Sequence, residues 1–344
     1  MKQIWTILLM LAFAQATFGQ LSGPLSGVLG PSTHHVVGTI YVNFGDSLTI
    51  MPPTTLIFDG PYPFRIYGTL MAEGTESNSI VFTTYQSGSN YWQGLRFAFT
   101  SSSGSRLAYC LIEKGYATGE SPYDNGGGIW CYQSSPAFLN CTVSENSASN
   151  HGGGVYCGQC SPIFTNCTLS GNAASDGGGG LYCYQSSPTF TNCTISQNSA
   201  GSGYGGGVSC VDSSPSFINC EIGHNATALY AGGVYCYGSS PIFTGCTITG
   251  NSTWGIDGDG GGIGCHHYSS PTFANCVITG NSVGRAGGGV HCEVSSPTFT
   301  SCSIAGNSAG GRGGGLYCGW NSAPILTNCA ISGNAASSGG GVYC

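Results

Sequence analysis

The chain has 344 residues, 59 of them glycine and only 6% charged, a balance that excludes an average globular enzyme built on solvated surface helices. Its net charge of −7, with seven Lys and Arg in all, leaves no basic footprint, so nucleic acid and anionic lipid are excluded as partners. Beyond the first residues no apolar run approaches the roughly 18 needed to cross a membrane as a helix.

At the N-terminus Lys2 precedes the apolar stretch Ile4 to Phe13, followed by the small residues Ala14 and Ala16. That order predicts a secretory signal peptide over residues 1–19, cleaved after Ala16 or Gly19, and hence a protein that is secreted or held at the cell surface or outer membrane. Residues 20–35 read as a loose lead-in. From 36 to 125 apolar residues alternate in pairs, Leu48 and Ile50, Leu56 and Phe58, Phe64 and Ile66, Ile80 and Phe82, Leu95 and Phe97, which predicts short strands.

From 126 to 344 one phrase recurs. In "GGGLYCYQSSPTFTNCTISQN", beginning at Gly178, the two cysteines belong to two columns. One holds Cys131, Cys157, Cys183, Cys210, Cys236, Cys265, Cys292, Cys318 and Cys344; the other runs from Cys110 and Cys141 to Cys302 and Cys329. Within a column the cysteines of the triplet region return every 26 to 30 residues, and Cys160 alone stands outside both. A fixed period of this size marks a stacked architecture. Inside one repeat Val208, Cys210, Phe217, Cys220 and Ile222 face one way if three strands are separated by bends at Ser-Ser-Pro, at Asn219 and at Asn225. The prediction is an all-β, right-handed, single-stranded parallel β-helix, three short strands per turn of about 26 residues, each turn displaced about 4.8 Å along the axis. The earlier "RLAYCLIEKG" matches the third-strand phrase, so residues 36–125 are read as less regular turns of the same solenoid. The last phrase stops at "GGGVYC" in mid-turn, and the expectation is a chain truncated at the C-terminus, a monomer or part of a longer protein.

The glycine triplet before an aliphatic residue, and Ile-x-x-Asn-x-Ala as at Ile195 to Ala200, resemble the repeats of chlamydial polymorphic outer-membrane proteins and of the broader right-handed parallel β-helix repeat family. The resemblance covers roughly 126 to 344. The third glycine stands where that family has alanine, and Ile or Leu where it prefers Phe. The opening "SIVFTTYQSGSNYWQGLRF" is similar to the first turns of secreted bacterial β-helix proteins. What the resemblance implies is the fold; the same solenoid hosts lyases, hydrolases, adhesins and binding surfaces.

Stacked cysteines one turn apart either pack as small apolar residues or bridge, and packing is the preferred reading. Zinc is disfavoured because ligands spaced once per turn lack a paired knuckle; only Cys157 and Cys160 approach one. The residue between Val and Cys points outward and reads Trp130, Tyr156, Tyr182, Ser209, Tyr235, Gly264, His291, Tyr317 and Tyr343, with Tyr132, Tyr184 and Tyr237 beside it. This is read as an exposed aromatic stripe, the candidate binding face for an extracellular glycan or cell-surface protein, set against simple neighbour packing of rings. His266, His267 and His291 are expected at the surface, the adjacent pair on opposite sides of a strand. For catalysis the repeats offer only Arg285 and Arg312 as bases, with Asp176, Asp257 and Asp259 in the equivalent bends of other turns, and no clustered acid and base pair. "GIDGDGGG" gives Asp257 and Asp259 a weak claim on calcium; otherwise no cofactor is expected. The functional expectation is a non-catalytic β-helix protein presenting an extended face for adhesion or glycan binding. The alternative is a lyase or glycoside hydrolase acting on an acidic polysaccharide, with Arg285 or Arg312 as base.

Overall fold

A computed structural model describes residues 19–85, 91–99 and 104–344. The expected leader lies outside the described residues except for Gly19, as do residues 86–90 of the opening phrase. The regular structure described is strand throughout, and the strands pair in parallel from Gly19–Pro24 to Val342–Tyr343. Gly19–Pro24 and Gly27–Leu29 already pair with Thr33–Val42 and Ser47–Ile50, so the segment before residue 36 carries solenoid strands of its own.

One turn shows how the phrase is used. Val155–Gly158, Ile163–Thr165 and Thr168–Ser170 are the three predicted strands, and each pairs in register with its copy one turn on: Cys157 with Cys183, Phe164 with Phe190, Leu169 with Ile195. A two-residue strand, Ala173–Ala174, adds a short fourth segment that pairs with Ser199–Ala200. The strands assemble into three sheets of 24, 12 and 9 strands. First and third strands share the largest because the ten-residue strand Thr33–Val42 pairs near its start with Thr54–Phe58 and at its end with Phe64–Ile66.

The interior is the predicted one. Val208, Cys210, Phe217, Cys220 and Ile222 are all buried, as are the five alternating pairs of the N-terminal turns. The phenylalanines form one stack, with centroids 4.6 Å apart and planes 1° apart at Phe164 and Phe190, and 4.8 Å and 4° at Phe217 and Phe243. Identical residues in register favour this because a ring or thiol repeated at the strand spacing meets a copy of itself. Both cysteine columns lie inside, buried except at Cys318, Cys329 and Cys344.

Corners are set by a few residue types. Asn166, Asn192 and Asn219, each just before a third strand, take left-handed backbone at φ of about 52°, a conformation asparagine tolerates. The second asparagine of each repeat is buried and forms a ladder instead. Asn172 Nδ2 donates to Val143 O at 2.9 Å and to Asn198 Oδ1 at 3.0 Å, and Asn198 Oδ1 also accepts the Asn172 N–H at 2.9 Å. The glycine triplet closes against that ladder. In the triplet Gly178, Gly179 and Gly180, the first has φ of 65°, while a Cβ on the third would stand 2.8 Å from Asn198 Nδ2 and from Gly207 O.

Candidate functional site

Because Val and Cys of the first strand point inward, the residue between them points out, and parallel register stacks these residues once per turn. The column begins before the triplets: Tyr41 pairs with Arg65, Arg65 with Arg96, and Arg96 with Trp130. It continues through Tyr156 and Tyr182 to Ser209 and Tyr235, and through Gly264 and His291 to Tyr317 and Tyr343. The rings stack nearly parallel, 5.7 Å and 6° for Tyr156 and Tyr182, 4.9 Å and 10° for His291 and Tyr317.

The column is not the exposed stripe that alternation predicts. Trp130 (8% exposed), Tyr235 and His291 (3%) are buried, and Tyr156, Tyr182 and Tyr317 are half-buried. The cause is the bend before each glycine triplet, which folds over the outer face: His151 stacks on Tyr182 at 4.2 Å and Tyr204 approaches Tyr235 to 4.7 Å. His266 is likewise buried, against the surface expectation, while His267 is exposed and stacks on Tyr237 at 4.5 Å. Gly264 explains His266. With no side chain in that position, the ring folds back into the column, 5.3 Å from Tyr235 and 5.2 Å from His291, and restores the row that the sequence shows as broken.

The result is a trough whose floor is the column and whose rims are aromatic. Tyr132, Tyr184, Tyr237, Tyr268 (75% exposed) and Trp320 (79%) follow one side, and Tyr123, Tyr204 and Tyr230 the other. Three concavities lie along it in turn order. The first, about 420 Å³, is lined by Arg65, Arg96, Trp130 and Tyr156; the second by Tyr204, Tyr235, His266 and Tyr268; the third, about 240 Å³, by Asp259, His291, Arg312 and Trp320.

The second and third concavities share a cluster of titratable groups absent from the sequence-based expectation. Asp259 is fully buried, accepting from Arg285 Nε at 2.9 Å and from Arg285 Nη2 through its other oxygen. His291 Nε2 stands 3.7 Å from Asp259 Oδ2, and His266 Nδ1 stands 3.3 Å from Glu293 Oε2. Burial pushes the Asp259 carboxyl up while Arg285 opposes it, and burial holds the His266 and His291 imidazoles below the ordinary range. Both rings are therefore neutral at pH 7. The signal was a separation of one turn, as from Asp259 to Arg285 or His266 to Glu293, which a solenoid converts into contact.

This geometry reassigns the sequence candidates. Arg285 is committed to Asp259, which raises its pKa further, so it is an ion-pair partner and not a base. Arg312 is exposed and lies 5.1 Å from the Tyr343 ring, where no acid pairs with it among the described residues. Asp257 and Asp259 are not brought together: Asp257 is exposed, and both oxygens of Asp259 face Arg285. Among the described residues no group of three or more His, Cys, Asp or Glu could hold a metal ion.

Solved structures similar to this chain include a tailspike protein and a polysaccharide lyase. The Dettilon tailspike protein is 10% identical with a TM-score of 0.49, over 88% of this chain and 62% of that one. A mannuronic acid specific polysaccharide family 6 lyase from human gut microbiota is 12% identical with a TM-score of 0.39, over 88% and 76%. The chain thus spans about three-fifths of the tailspike it matches. No curated protein matches it. Residues 127–296 and 232–344 match the model of the right handed beta helix region, the broader of the two resemblances carried by the glycine triplets and the Ile-x-x-Asn-x-Ala phrase. With parallel strands, stacked turns and that match over most of its length, the chain belongs to the right-handed β-helix family.

Proposed function

We propose that this protein is an exported polysaccharide-binding protein that lays an extended glycan along the trough of its first sheet. The observation that carries the reading is the exposed aromatic rim, with Tyr184, Tyr237, Tyr268 and Trp320 on one side and Tyr123 and Tyr204 on the other, around concavities that also hold charged and polar groups. Stacking rings alone would account for the column as packing. They do not account for large rings left in solvent along both of its edges. A sugar offers both halves of the match, a C–H face for the rings and hydroxyls for polar groups.

Retention on a panel of insoluble and immobilised polysaccharides tests this, with Tyr237→Ala and Trp320→Ala as rim variants on exposed side chains. Each is expected to weaken retention about 3- to 10-fold without lowering the melting temperature. Retention unchanged in the double variant overturns the reading.

A second reading has its own support in the second concavity, which Tyr230, His266 and Glu293 line. A neutral imidazole paired with a carboxylate, His266 with Glu293, has the chemical type of a general base, and Tyr230 meets the His266 ring edge-on at 5.3 Å. Shortened chains in the supernatant, abolished by His266→Gln, would establish cleavage in place of simple binding.

A further inference from the structure

The first concavity concentrates positive charge in a protein of net charge −7. Arg65 and Arg96 are register partners on adjacent strands, at the head of the aromatic column. Arg96 is 4% exposed, and its guanidinium is spent on backbone carbonyls: Nε to Gln93 O at 2.8 Å, Nη1 to Asn125 O at 2.5 Å and Nη2 to Tyr123 O at 3.2 Å. Carbonyl dipoles fix the orientation of the fork but leave its full charge. Among the described residues no carboxylate forms an ion pair with either arginine. Asp124 is the acid that acts on Arg96, and its Oδ1 accepts from Asn125 Nδ2 at 2.6 Å. Burial, followed by the neighbouring Arg65, pushes the Arg96 guanidinium down to about 9.

Two like charges at one strand spacing, one of them buried, repel each other, and Asp124 offsets this without forming an ion pair with either. Such an arrangement is relieved by an anion held between them. Arg96 keeps two of its five N–H donors free of these carbonyls, and Arg65, half-buried with its Cζ 5.8 Å from the Tyr123 ring, is steadied by an aromatic face and not by an acid. Next to them Trp130 and Tyr132 stack at 5.7 Å, with Arg96 Cζ 6.0 Å from the indole. The cavity of about 420 Å³ has room for one sugar ring. An aromatic wall that includes the exposed Phe99 and Tyr123, beside two guanidiniums with no ion-pair partner, matches a pyranose bearing a carboxylate or sulfate group, with its ring on that wall and its anion on the arginines.

From this geometry we infer that the Arg65 and Arg96 pair is an anion subsite, and that the glycan laid along the trough is an acidic polysaccharide anchored there. The inference rests on the glycan-binding reading and adds the class of ligand to it. It differs from the third concavity, where Asp259 already neutralises Arg285.

The experiment measures retention of the full chain on immobilised polygalacturonate, dextran sulfate and unmodified dextran, at low and at near-molar salt. Acidic polymer is expected to be held more tightly than dextran, with the advantage lost at high salt. Arg65→Gln is expected to lower that binding roughly tenfold or more, and Arg65→Lys to restore part of it. Arg106→Gln, which breaks a pair with Glu73 at 2.7 Å elsewhere on the solenoid, controls for loss of charge alone and should change nothing. Preference for polygalacturonate identifies a carboxylate as the recognised group; preference for dextran sulfate identifies a sulfate. Equal binding to dextran, or acidic binding untouched by Arg65→Gln, overturns the subsite and leaves the glycan reading standing. Failure to retain any of the three polymers overturns both. Since Arg96 is buried and its loss endangers the fold, Arg65, which is half-buried, carries the test.

Discussion

His291 occupies an aromatic position with a group able to take up a proton, in surroundings that resist it. Its ring is 3% exposed between His266 and Tyr317, and burial, then His266 and Arg285, hold its pKa well below the ordinary 6.5. His266 and His151 are shifted the same way, with burial first in each case. A group whose folded pKa is depressed binds its proton more readily in the unfolded chain. The fold therefore keeps the full benefit above about 6.5 and loses it as pH falls from there towards the folded values. Asp259 acts in the opposite sense, because burial makes the folded state hold its proton more tightly. In His291→Phe the column keeps a ring and loses one titrating group. Its unfolding free energy between pH 7 and 5 is expected to fall less steeply than the parent's, by up to about 1.4 kcal/mol per pH unit. Parallel curves in denaturant titrations at several pH values would show that the imidazole is not held neutral. None of this was visible at the level of one residue, since alternation alone places His291 on an outer face and says nothing of what covers it.

At the scale of one turn, most of the local logic was legible. Period-two alternation found the inward Val, Cys, Phe, Cys and Ile, and the left-handed residues lie at the first asparagine, as at Asn219, and one residue ahead of the other two predicted bends, at Asp212 before Ser-Ser-Pro and at His224 before Asn225. The fourth pairing was missed because two residues, Ser199–Ala200 for example, are too few to show a period. The buried asparagine ladder was read as a corner but not as a chain of hydrogen bonds, which emerges only once turns are stacked. That ladder leaves no room for a side chain on the third glycine of the triplet. At Gly180 a methyl group would meet Asn198 Nδ2 and Gly207 O, each at 2.8 Å, and Ile195 Cγ2 at 2.9 Å. Gly180 is not in the left-handed region, so the obstacle is space and not backbone conformation. Gly180→Ala is expected to destabilise the solenoid by about 1–3 kcal/mol, read as a lower denaturation midpoint with unchanged slope. A midpoint equal to the parent's would mean that the turns can separate enough to admit the methyl group.

Over the whole molecule, the period of the cysteine columns was sufficient for the architecture, because register turns one correct turn into all of them. It was insufficient for the site, because the covering bends differ in length and composition from turn to turn and follow no repeat. Stability has the same one-dimensional character: each turn rests on its neighbours, and its protection depends on how many it has. In the middle of the stack Phe217, Cys220 and Ile222 are buried beneath copies on both sides, whereas Leu326, Cys329 and Ile331 in the last turn only partly pack against the core. The Ala330 N–H donates to Cys302 O at 2.9 Å, so that turn is paired with the one before it. Local opening there exposes less buried apolar surface than opening at residue 217. Hydrogen exchange of this chain is therefore expected to be fastest over residues 325–343 and slowest over the turns around 190–250, with a graded fall between them. Uniform protection along the axis would require all turns to open together, and would replace the picture of a stack of nearest neighbours with that of a single cooperative unit.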